Sequence, residues 1–174
     1  MTRNKKIVIL GMVVIILLMG FFLIWNPFFG FYGVEVPINI NESEKENIKI
    51  YLEENIWKPN RGGKTFCAYE ILGEESGLDI HQYYLWALCK EYYLENSKLR
   101  EAGGTSLPVA ITLQRESNTY KVIGHEVPRN GSFYKEEIER IFPENIRQNK
   151  MFSNDVNYHN QHIRVLEDEI KNNL

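Results

Sequence analysis

Cysteine is almost absent, with only Cys67 and Cys89 in 174 residues. That excludes a cysteine-rich scaffold, and their wide spacing leaves no short CxxC pair of the zinc-binding or redox kind. Also missing are an HExxH helix, a Gly-rich phosphate loop and a GxSxG elbow, the usual signatures of zinc peptidases, nucleotide binders and serine hydrolases. Basic residues are in deficit as well. Setting Arg3, Lys5 and Lys6 apart, 17 of the 20 Lys and Arg remain against 23 Asp and Glu, a formal charge of −6. No Lys/Arg block with interleaved aromatics appears, so nucleic acid is not an expected partner.

Charge is missing altogether from Ile7 to Val34. The stretch Ile7–Trp25 would rise about 28 Å as a helix, close to a bilayer's hydrocarbon thickness. Arg3, Lys5 and Lys6 flank only its N-terminal side, which places that end in the cytoplasm by the positive-inside bias. A cleaved signal peptide begins the same way, but bulky residues such as Phe28, Phe29, Phe31 and Tyr32 follow where small ones precede a cleavage point. The expected organisation is a cytoplasmic basic end (1–6), a transmembrane helix (7–25), a juxtamembrane segment (26–42), an extracytoplasmic domain (43–143) and a tail with an amphipathic helix (144–174). The protein would then be single-pass in the cell membrane, with the N-terminus cytoplasmic, the C-terminal domain extracellular and the lipid bilayer as one partner.

The remaining length suits one core. Ser43 with Glu46 three residues on reads as a helix start, and Ile48, Tyr51, Leu52 and Ile56 fall on one side of that helix. Lys64–Leu72 alternates as a strand, and GEESG reads as a turn into a longer strand through Leu78–Leu94. Helical spacing of Leu85, Leu88 and Tyr92 is the competing reading of that run. SKLREAGG reads as a polar link, followed by a hairpin of Ser106–Gln114 and Tyr120–Val127 around RESNT. With the GEESG turn, Cys67 falls opposite Tyr84, so two separate buried thiols are favoured over a disulfide. Ser132 can cap a short helix over a sheet edge or end, and Ile163, Leu166, Ile170 and Leu174 form a stripe on a last helix. That stripe can dock on the domain or on another chain. The fold class is α+β, with the transmembrane helix followed by an amphipathic helix on a four-stranded antiparallel sheet and C-terminal helices. In outline this is similar to cystatin-like or NTF2-like folds.

Candidate chemistry is sparse. His159 and His162 are spaced for one helix face, yet two histidines do not make a metal site, and exposed tail histidines are the plainer reading. Glu70, Glu74 or Glu75 with His81 or His125 could form an acid-base pair, though glutamates near turns are ordinarily solvated. The aromatic run is the better recognition candidate. Alternation puts Tyr84, Trp86 and Tyr92 on one face and Tyr83 and Tyr93 on the other, so one set can pack while the other lines a groove.

The runs TFCAYEILGEESG, IHQYYLWALCKEYYLENSKLREAGGTSLPVAITLQ and YKVIGHEVPRNGSFYKEEIERIFP resemble a small, poorly characterised extracytoplasmic domain of Gram-positive membrane-anchored or secreted proteins. The domain is also similar to tails of sensor-type membrane metallopeptidases of the beta-lactam-regulator class. The likeness spans roughly 48–147 and is strongest in LWALCKEYYLENSKL, GTSLPVAITL and VPRNGSFYKEEIERIFP. It implies an accessory or sensing domain, not the peptidase, and carries over no catalytic residue. The expected function is therefore noncatalytic recognition of a peptide, wall component or envelope protein in a sensing, regulatory or protective role. Tyr84, Trp86 and Tyr93 form the candidate surface, with no cofactor, metal or catalytic residue. An envelope hydrolase with a His/Glu acid-base site is the alternative.

Overall fold

The computed structural model of the chain describes residues 40–117 and 119–174. Among them, helix α1 (Glu42–Asn55) precedes four strands, β1 (Lys64–Ser76), β2 (Ile80–Glu95), β3 (Lys98–Glu116) and β4 (Thr119–Glu126). Helices α2 (Tyr134–Ile141), α3 (Glu144–Arg147) and α4 (Val156–Asn172) follow, with short 3₁₀ turns at Gly131–Phe133 and Lys150–Phe152. The strands form one antiparallel sheet in the order β1-β2-β3-β4.

The membrane-anchored topology is corrected to this α+β domain. No helix among the described residues is long and apolar enough to cross a membrane, and the expected span Ile7–Trp25 lies outside those residues. The single-pass placement, the cytoplasmic N-terminus with an extracellular domain and the bilayer as partner fall with it.

Helix α1 starts two residues before the expected Ser43. Two overlapping signatures compete, Asn41 with Glu44 and Ser43 with Glu46, and the first is used. The Asn41 side chain accepts from the Glu44 amide at 2.9 Å, and the Glu44 carboxylate accepts from the Asn41 amide at 3.3 Å. Glu44 is buried and also accepts from the Tyr83 hydroxyl at 3.3 Å, a second tie unavailable to Glu46 at the helix surface. The apolar side of α1 packs as expected, with Ile48 and Leu52 fully buried and Tyr51 and Ile56 against the same core.

Strand β2 dictates the layering. Every residue from Tyr83 to Cys89 is buried. Tyr83, Leu85, Ala87 and Cys89 face α1 together with Val109, Ile111, Leu113 and Val122. Tyr84, Trp86 and Leu88 face the other way, against Ile138, Ile141, Phe142, Ile146, Met151, Leu166 and Ile170. The C-terminal helices thus lie over the second face of the sheet, not at an edge or end, and Ile163, Leu166 and Ile170 of the α4 stripe dock on this domain, while Leu174 is exposed. A strand apolar at both parities cannot leave one face in water.

Register overturns the separated-thiol reading. β1 continues through GEESG as far as Ser76 and turns at 77–79, with a bulge between Ile71 and Gly73, so Cys67 stands opposite Cys89. The two form a disulfide, with Cα atoms 4.2 Å apart. SKLREAGG likewise is not a link: after Ser97 in the turn, Lys98 to Gly104 belong to β3. β2 passes into β3 through the two residues Asn96 and Ser97, whose φ values of 51° and 62° make the tight mirror-image turn that matches strand twist.

The connection from α1 to β1 is pinned from inside. The fully buried Glu91 carboxylate accepts the backbone amides of Asn60 (2.9 Å), Arg61 (2.8 Å) and Gly63 (3.1 Å). Burial alone would push its pKa up, but these donors and the Arg61 charge outweigh it and leave the pKa lowered.

Two expectations follow. Ser97→Gly removes the cost of a left-handed serine and raises stability by about 0.5–1 kcal/mol in urea unfolding. A lowered folded pKa means that the ionised Glu91 stabilises the fold fully above the unfolded carboxyl value of about 4.3, and that this share disappears as pH falls through the lowered value. Glu91→Gln should therefore be less stable than the parent at pH 7, the gap closing on acidification. A gap constant from pH 7 down to the acid transition would count against this role.

Candidate functional site

β1 is an outer strand of the sheet, and its free side is defined by the disulfide. Paired Cα atoms only 4.2 Å apart mark a non-hydrogen-bonded pair, so the Cys67 amide points away from β2. The Glu53 carboxylate accepts it there at 3.3 Å. Alternation carries the same outward orientation to Thr65, Tyr69 and Ile71. Thr65 is buried under the α1 connection, its hydroxyl donating to the Trp57 carbonyl at 3.2 Å. The bulge after Ile71 ends the regular edge. Tyr69 and Ile71 are left with outward amide and carbonyl groups that have no hydrogen-bond partner among the described residues.

These two residues floor a groove of about 430 Å³. Helix α1 supplies one wall through Glu42, Lys45, Glu46 and Lys49, and the last turns of α4 supply the other through Glu169 and Asn173. The helices stand there because each covers one face of the same strand. The Tyr69 hydroxyl donates to the Lys45 carbonyl at 3.0 Å, fixing the ring along the groove. Burial, then the carboxylates of Glu169, Glu42 and Glu46, raise its pKa well above the ordinary phenol value, so it stays a neutral donor. An unpaired strand edge with a solvated slot beside it can accept another extended backbone.

The residues singled out by sequence lie elsewhere. Tyr84 and Trp86 are buried beneath the C-terminal helices, 3% and 8% exposed, with Tyr84 donating to Glu75 at 3.0 Å and Trp86 to the Ser106 hydroxyl at 2.9 Å. Tyr93 is half-buried further along β2, opposite Arg100. No common open surface joins the three.

The histidines meet other partners than those envisaged. His81 stacks on Tyr120 with ring centres 4.3 Å apart and bonds its hydroxyl through Nε2 at 3.1 Å. His125 Nδ1 lies 2.9 Å from the Tyr51 hydroxyl, and burial lowers its pKa. Neither converges with a glutamate. Glu70 instead meets His162 Nδ1 at 2.6 Å, tying α4 to β1, while His159 sits edge-on to Trp86 at 5.0 Å. Among the described residues no group of three or more His, Cys, Asp or Glu could hold a metal ion, and both cysteines are in the disulfide.

Comparison with family models, curated proteins and solved structures finds no match to this chain. The cystatin-like or NTF2-like outline gains no support from it.

Burial predicts how the aromatic residues respond to truncation. Trp86→Ala should cost about 3–5 kcal/mol in urea unfolding, as expected for a large aromatic in a packed core. Tyr93→Ala should cost clearly less. Equal, small losses at both positions would place Trp86 on a surface after all.

Proposed function

We propose that this domain is a noncatalytic binding module that takes up an extended polypeptide as a fifth strand on the outer edge of β1. The single observation that carries the reading is the pair of unpartnered backbone positions, Tyr69 and Ile71, at the floor of the groove between α1 and α4. Main-chain pairing there supplies affinity, and the groove walls supply selection among side chains. The edge is short and bounded, with Glu53 on the Cys67 amide to one side and the bulge at Gly73 to the other. That restricts pairing to one register, as a specific site requires, and works against open-ended aggregation. The resemblance to accessory domains that accompany a peptidase, without being one, supports the noncatalytic side of the proposal.

The test uses the full chain to select binders from a displayed library of random eight-residue peptides. The Tyr69 and Ile71 amides should exchange fast in the free protein, and selected peptides should slow them. Ile71→Pro should abolish capture while leaving the fold intact, because the amide it removes points away from β2. Binders that protect neither amide and ignore Ile71→Pro would overturn strand addition.

A further inference from the structure

We infer that the strand accepted by the β1 edge is basic, carrying a lysine or arginine opposite Tyr69 whose cation lies among the carboxylates of Glu42, Glu46 and Glu169. The inference rests on strand addition at this edge and names the chemistry of its partner. Residues directly opposite one another on paired strands project to the same face. A peptide residue paired with Tyr69 therefore presents its side chain on the α1 side, where the Tyr69 ring lies.

The groove's charges are not balanced at that point. Lys45 is engaged by Glu42 at 2.8 Å. Among the described residues, Glu46 and Glu169 have no ion-pair partner, which leaves Lys49 as the one lining cation opposed to two unpaired carboxylates. Burial first, and then the nearby carboxylates of Glu169, Glu42 and Glu46, raise the pKa of the Tyr69 hydroxyl, which stands in the same groove as these carboxylates and Lys45 and Lys49. The hydroxyl uses its proton on the Lys45 carbonyl and keeps a lone pair to accept from an ammonium or guanidinium group. An acidic side chain in this place would be repelled by two unpaired carboxylates, and a neutral one would leave them as they are. Such differences decide between partners more than they set absolute affinity.

Three end-blocked octapeptides test the inference with the full chain, alternating valine with lysine, with glutamate or with threonine. Binding is measured by fluorescence anisotropy at low salt, and the Tyr69 and Ile71 amides are followed by hydrogen exchange. The lysine peptide should bind at least tenfold more tightly than the glutamate peptide, with threonine between, and the preference should shrink as salt rises. The double variant Glu46→Gln/Glu169→Gln, at two exposed positions, should bring the three peptides close together. Equal binding of all three with both amides protected would overturn the charge preference and leave strand addition standing. Preference for the glutamate peptide would overturn the charge reading outright. Failure of every peptide to protect the two amides would count against strand addition itself.

Discussion

Seven consecutive buried residues in the middle of β2, Tyr83 to Cys89, impose a demand that a helix on one side of the sheet cannot meet. Each parity of that run must be removed from water, so the chain needs a cover before the sheet and another after it. Helix α1 is the first, and α2 to α4 are the second. Everything near the groove follows from the double cover. β1 lies at the margin of both layers, so α1 and α4 overhang it from opposite faces and leave a slot over its outer edge. With a single cover the same edge would be an open ledge with one wall.

Buried carboxylates hold the fold here, and exposed ones line the groove. Glu44 closes the α1 cap and takes the Tyr83 hydroxyl, Glu91 gathers three amides of the α1–β1 connection, and Glu137 receives Arg129 and Arg140. Each of the three is buried and satisfied. Hydrogen bonds from Arg129 and Arg140 hold the Glu137 carboxyl below its ordinary range, by the same logic that lowers Glu91. Glu46 and Glu169 differ in being exposed and, among the described residues, without an ion-pair partner. Acid should therefore unsettle the caps and connections through groups remote from the groove.

Much of the architecture was legible in local pattern. The amphipathic stripe of α1, the alternation of β1 and β4 and the Leu166/Ile170 stripe of α4 all obey short periods that survive in isolation. What was misread depended on pairing. GEESG is polar enough to suggest a turn and SKLREAGG a link, yet all but Gly77 and Ser97 lie in strands because a twisted hairpin can run into solvent beyond the covered core. That extension moved Cys67 from Tyr84 to Cys89. The run YYLWALC was read as a strand with one free aromatic face, although the absence of any polar residue at either parity already signalled burial on both sides. The groove left almost no trace. Tyr69 and Ile71 look like any alternating pair, and edge position is a property of the whole sheet order.

The shortness of the free edge is as informative as its existence. A strand of this length at a sheet margin would ordinarily be an aggregation hazard, and charges, bulges and covers are the usual remedies. All three are present on β1, with Glu53 on one amide, a bulge beyond Ile71 and the α1 connection over Thr65. Tyr69 and Ile71 lie between these protections and have none of their own. On the far side, the part of β3 that β4 does not reach includes Pro108, which offers no outward amide. What distinguishes Tyr69 and Ile71 is that their outward backbone groups lie at the floor of a groove with a helix on either side.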